Sequence, residues 1–166
     1  MYGIDPGQYR RYVVRPTLYR IGLWHPAAEN LVVGTALQES HLKYIDQLDK
    51  ADKPGPAFGL CQMEGPTHYD LHMNFLKYKP DLRKKVLQLA TFFSGDLPDP
   101  AEMQFNLAYS AAMCRVHYYR VPYALPHPDD AEGLALYWKR WYNTRFGKGT
   151  VEQALPHFQF AVKDGA

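Results

Sequence analysis

A chain of 166 residues with 46% hydrophobic content can bury one sizeable core and is short for two, so a single domain over 1–166 is expected. The net charge of +2 is too mild to announce nucleic acid, though it suits an anionic polymer such as a cell wall. The two cysteines, Cys61 and Cys114, lack CxxC spacing, which excludes a zinc knuckle and leaves free buried thiols as the expectation.

Taken in chain order, Tyr9, Tyr12, Val13, Leu18, Tyr19 and Leu23 recur at helical intervals over 8–23, with Pro16 dividing the segment. Arg10, Arg11, Arg15 and Arg20 read as its solvated face. The amino terminus has no apolar core of signal-peptide length and no segment approaches a membrane span. Synthesis in the cytoplasm and no stable membrane insertion are therefore expected. Pro26 opens a second helix to about Ser40. "KADKPGPAFGLCQMEGP" then brings turns and a short hairpin. Thr67 with Asp70 reads as a capping box for a helix through Leu76, and Pro80 starts another through Phe93. Asp99, Pro100 and Glu102 open a helix of about five turns over "MQFNLAYSAAMCRVHYYR", whose small residues admit a close neighbour. Asp129 or Asp130 caps a helix through Trp141, and Thr150 with Gln153 caps the last. The expected fold is mainly α with one irregular or hairpin insertion.

One side chain stands out. On the helix 26–40, Ala28, Leu31, Val32, Thr35, Ala36 and Glu39 share a stripe, while Val33 and Leu37 make the other side apolar too. Burial and the negative end of the helix dipole both disfavour a charged Glu39 and push its pKa upward. A carboxylic acid that keeps its proton near neutral pH is what glycosidic cleavage needs as general acid. A helix that frays one residue earlier leaves Glu39 as an ordinary exposed cap, and the stripe alone leaves both readings open.

The blocks "ALQES", "GPAFGLCQMEGPT", "NLAYSAAMCRVHYYR" and "WYNTRFGKGT" together resemble, in order, those of the soluble lytic transglycosylases and goose-type lysozymes of the lysozyme-like superfamily. They cover residues 26 to about 150. The resemblance implies a lysozyme-like helical domain that cleaves peptidoglycan, with Glu39 as the acid and Ser40 contacting substrate or steadying that acid. It also implies that Gln62 bonds the sugar and that Tyr142 packs over or hydrogen-bonds the acid, with Asn143 beside it. Cys61 stands where the family has Met, and "YNTR" where it has Tyr-Asn-Ala-Gly. Glu64 is an added carboxyl, a second acid or a loop charge.

The residues themselves add detail. Gly55, Pro56 and Gly59 allow tight turns that bring backbone against a ligand. Leu134, Tyr137, Trp138 and Trp141 follow core spacing, which reserves a site role for Tyr142. His68 and His72, four apart, lack a third metal ligand, and Cys114 with His117 reads as packing rather than a thiol nucleophile. The Lys139, Arg140, Arg145 and Lys148 group meets either solvent or an anionic wall polymer. No metal and no cofactor is expected. A transglycosylase needs Glu39 alone; a muramidase needs Asp46, Asp49, Asp52 or Glu64 to position water. A non-catalytic wall-binding virion component is the remaining alternative. The resemblance with no signal peptide points to a phage-type protein, released through a holin pore or carried in the virion.

Overall fold

The computed structural model describes residues 3–48, 51 and 53–165; Asp49 and Asp52 lie outside them. The chain is mainly helical, with 61% of it in helices and a few short strands. It opens with α1 (Pro6–Tyr9), a π-helical turn at Arg10–Val14, and α2 (Arg15–Ile21). Pro16 has no N–H and would press on the carbonyl of a regular preceding turn, so the widened turn just before it fits the chain's need there.

Next comes α3 (Pro26–Ser40), bounded as the sequence predicts, with the His25 Nδ1 accepting the Ala27 N–H at 3.1 Å. Its apolar residues face neighbours on every side, and Leu31, Val32 and Val33 are fully buried. Each such side chain contributes about 1.5–3 kcal/mol by leaving water. The last helix, α9 (Val151–Gly165), packs against α3 so tightly that a Cβ at Gly34 would come 2.4 Å from the Phe158 ring.

After α3 the chain forms a three-stranded antiparallel sheet of β1 (Asp46–Leu48), β2 (Pro54–Phe58) and β3 (Met63–Glu64). This is the expected hairpin insertion, extended by one strand. It leads into α4 (Gly65–Asn74), a short 3₁₀ turn at Leu76–Tyr78, and α5 (Pro80–Leu87). The Thr67–Asp70 capping box does not form. The helix begins at Gly65, with Glu64 as its N-cap three residues before Thr67 and Pro66 in its first turn, and Asp70 instead binds Asn74 and Arg120.

The helix from Pro80 also stops short of Phe93. A hairpin of β4 (Phe93–Ser94) and β5 (Leu97–Pro98) follows, turning at Gly95, whose φ is +69°. The expected five-turn helix is divided into α6 (Glu102–Phe105) and α7 (Leu107–Tyr119). Asn106 makes the division, because its Oδ1 caps the new helix at Tyr109 N, 3.0 Å away. Buried Glu102 accepts the Thr91 and Phe92 amides at 2.9 and 2.7 Å, tying the hairpin down.

Asp130 caps α8 (Ala131–Trp138) at Gly133 N, 2.8 Å. A second π-helical turn, Lys139–Asn143, carries the segment past the expected end. The Thr150–Gln153 capping box is formed in both directions, at 3.2 and 3.1 Å. Two apolar clusters fill the interior, one around α3, α8 and α9 and the other around α4 and α5; α7 contributes to both.

The expected solvated arginine face needs correction at Arg10, which is only 4% exposed. Its guanidinium binds Glu29 at 2.8 Å, Asp164 at 2.8 Å and Asn30 at 2.9 Å, joining the first turn to α3 and α9. Arg15 reaches the same carboxylate at 2.7 Å, while Arg11 and Arg20 do face solvent.

Candidate active site

A cavity of about 950 Å³ opens where the end of α3, the three-stranded sheet and the turn after α8 meet. Glu39, Asp46, Gln62, Glu64, Tyr142 and Asn143 all line it, so elements far apart in sequence converge there. Glu39 is half-buried on the last turn of α3. The indole Nε1 of Trp138 donates to its Oε1 at 2.9 Å. Oε2 takes no hydrogen bond among the described residues.

Burial raises the Glu39 pKa to about 7, with the Trp138 bond pulling the other way. The group therefore holds its proton up to neutrality, as the buried stripe on α3 predicts, and the frayed-cap alternative fails. An indole N–H only donates, so it favours Oε1 as the carbonyl oxygen and leaves the acidic proton on Oε2. The fold thus fixes which oxygen is the acid.

Ser40 does not line the cavity. It is 1% exposed; its Oγ donates to the Ala36 carbonyl at 3.0 Å and accepts the Leu42 N–H at 3.2 Å. These bonds fix the left-handed turn at His41 and Leu42, φ 52° and 55°, which ends α3 directly after the acid. Ser40 thereby steadies the Glu39 backbone. Gly59 likewise belongs to the scaffold. With φ +76°, a Cβ there would lie 2.3 Å from the Met103 carbonyl, and the residue does not line the cavity.

Gln62 sits at φ 49° and donates from Nε2 to the Gly59 carbonyl at 2.8 Å. Its Oε1 takes no bond among the described residues. The Tyr142 hydroxyl donates to the Cys61 carbonyl at 2.7 Å, and its ring stacks on Tyr118 with centroids 5.3 Å apart. Tyr142 therefore ties the turn of Gln62 to the end of the α8 segment. Asn143 accepts the Lys139 ammonium at 2.7 Å and so shapes the loop behind it.

Four non-glycine residues among those described have positive φ: His41, Leu42, Gln62 and Thr144. Two follow Glu39 within three positions and the other two line the cavity. Strained backbone of this kind costs on the order of 1–3 kcal/mol per residue and collects where a fold holds groups for function.

Core spacing places Trp138 inside, and it is fully buried, yet it is also the sole hydrogen-bond partner of the acid among the described residues. Sequence reasoning missed that second role. An indole has the bulk of a core residue and one donor, and nothing in helical spacing says where the donor points. Glu64 is exposed on β3 and faces the cavity rather than a remote loop. Asp46 lines it too, with a buried Oδ1 that has no partner among the described residues.

The other constellations are occupied internally. His68 and His72 both reach the Tyr109 hydroxyl through Nε2, at 2.7 and 2.8 Å, and burial lowers their pKa values to about 4 and 3. Cys61 and Cys114 are free and buried, burial pushes the Cys114 thiol well up, and His117 bonds the Trp141 carbonyl through Nε2 at 2.9 Å. Among the described residues no three metal-ligating side chains group together, and no helix is long and apolar enough to cross a membrane.

No family model matches the chain, and no curated protein or solved structure matches it either.

Proposed function

We propose that this chain cleaves the glycan strands of peptidoglycan between N-acetylmuramic acid and N-acetylglucosamine, as a lytic transglycosylase. The observation that carries the reading is Glu39, a single carboxylic acid with a pKa near 7 whose Oε2 is left to a glycan-sized cavity. Oε2–H protonates the glycosidic oxygen as the C1–O bond breaks and an oxocarbenium-like centre develops. The resulting carboxylate then takes the proton of the sugar's own 6-hydroxyl, whose oxygen closes on C1 as an anhydro ring. Proton balance is restored at Glu39. Gln62 and Asn143 provide amide groups for the N-acetyl and hydroxyl groups of the strand. The order of the four sequence blocks supports the same reading, and with it a lysozyme-like fold and a phage-type setting, lytic or virion-borne.

A second reading, hydrolysis by a muramidase, is favoured by one feature. Asp46 and Glu64 share the cavity with Glu39, and Asp46 holds a buried oxygen, without a partner among the described residues, that is able to orient water. Mass spectrometry of purified peptidoglycan after digestion separates the two. Anhydro ends are expected; reducing ends establish the muramidase; no soluble fragments would leave a non-catalytic wall binder.

A further inference from the structure

One rim of the cavity is the loop 144–149, and it is held unusually firmly for a loop. Lys139 Nζ donates to Asn143 Oδ1 at 2.7 Å and to the Gly147 carbonyl at 3.0 Å, pinning it from below. A Cβ at Gly147 would come 2.4 Å from Asn143 Oδ1, and one at Gly149 would come 2.7 Å from the Trp138 ring. The loop therefore rests on the indole that bonds Glu39. Thr144 enters it at φ 65°, an uncommon conformation for a β-branched residue.

At the tip of this fixed loop Phe146 is 83% exposed, more than any other large apolar side chain described, and it lines the cavity. The Arg145 guanidinium lies 4.7 Å from the Phe146 ring centroid. Lys148 also lines the cavity, and neither cation enters an ion pair among the described residues. The other charged side chains of the lining are Glu39, Asp46 and Glu64. An anionic group on a ligand is repelled by those three when ionised, and among the described lining residues it finds compensation at the loop.

We propose that the loop 144–149 is a subsite for an anionic glycan. Phe146 covers the apolar C–H face of a pyranose ring, and Lys148 with Arg145 pairs with a carboxylate on the polymer's peptide branch. This rests on the glycan-strand reading above and adds to it the register in which the strand lies. The ring supplies most of the affinity, because exposed ion pairs contribute little; the cations supply orientation and salt dependence.

The test uses the Glu39→Gln protein, which binds without turnover, and follows tryptophan fluorescence. Two probes are titrated: an uncharged tetramer of N-acetylglucosamine, and soluble peptidoglycan strands carrying stem-peptide carboxylates. Adding Phe146→Ala is expected to weaken both about tenfold. Adding Lys148→Ala is expected to weaken only the carboxylated strands, by about twofold to fivefold, and to flatten their salt dependence. Both side chains are exposed, so neither change threatens folding. Unchanged binding of both probes by the Phe146→Ala protein overturns the subsite alone. Failure of the Glu39→Gln parent to bind either probe overturns the glycan-strand reading and the subsite with it.

Discussion

Glu29 and Glu39 stand ten residues apart on one helix, and each receives a hydrogen bond from an indole, Trp24 at 2.6 Å and Trp138 at 2.9 Å. Their fates diverge. Glu29 lies in the first turn, where the helix dipole favours a negative charge. Burial raises its pKa, but hydrogen bonds from Arg15, Arg10 and Trp24 outweigh that and hold the carboxyl below its usual range. Glu39 lies in the last turn, where the dipole opposes charge, and no cation among the described residues bonds it. The lesson is that burial alone makes neither an acid nor an anchor. The number of donors around the carboxyl decides.

The sharpest way to break this comparison is to neutralise each carboxyl in turn. Glu39→Gln should lower fragment release from peptidoglycan by about 10²- to 10⁴-fold while circular dichroism stays unchanged. Near-normal release would remove Glu39 from the chemistry. Glu29→Ala should do the reverse, costing about 3–5 kcal/mol in denaturant unfolding because Arg10 is left buried without its main partner. A loss under about 1 kcal/mol would mean that Asp164 and Asn30 suffice.

Proton linkage sharpens the contrast. The folded chain holds an extra proton on Glu39 between about pH 4.5 and 7, so this residue subtracts stability as pH rises through that window. Glu39→Gln, with no proton to lose, should therefore be more stable than the parent by about 3 kcal/mol at pH 8 and equal to it at pH 4. Glu29 has the opposite sign: its contribution is present at neutral pH and is lost as pH falls through its lowered folded pKa. Thermal unfolding of both variants across pH reads the two slopes directly.

Smaller effects probe the surroundings of the acid. Activity should fall as pH rises through about 7, and Trp138→Phe should move that limb upward by about one unit, since it removes the donor that favours the carboxylate. A limb that stays in place would detach the indole from the titration. Tyr142→Phe, which deprives the Cys61 carbonyl of its donor, should cost about 1 kcal/mol in stability.

Much of this site was legible in the chain. The all-round apolar pattern of 26–40 revealed that its helix is buried, and of the two readings it left for the carboxyl at its end the fold takes the buried one. Gln62, Tyr142 and Asn143 converge on the cavity as their blocks imply. Of the two roles open to Ser40 its bonds fit the steadying one, and Gly59 turns away from the cavity, because a motif fixes neighbours in sequence and not where side chain and backbone face. Arg10 was misread since a helix with four arginines looks solvated until a distant carboxylate closes on one of them. The division at Asn106 and the hairpin at 93–98 depend on single local bonds, Asn106 to Tyr109 N and Glu102 to the Thr91 and Phe92 amides, which helical periodicity does not encode.

By itself the sequence determined the mainly helical character and the burial of α3, because periodicity acts locally on residues close in the chain, while it left Glu39 open between a buried acid and an exposed cap. Only the tertiary structure decided that Trp138, ninety-nine residues away, donates to Oε1, and that Asp46 and Glu64 share the cavity. Which donors surround a carboxyl depends on how distant helices pack, and packing is set by the whole core at once.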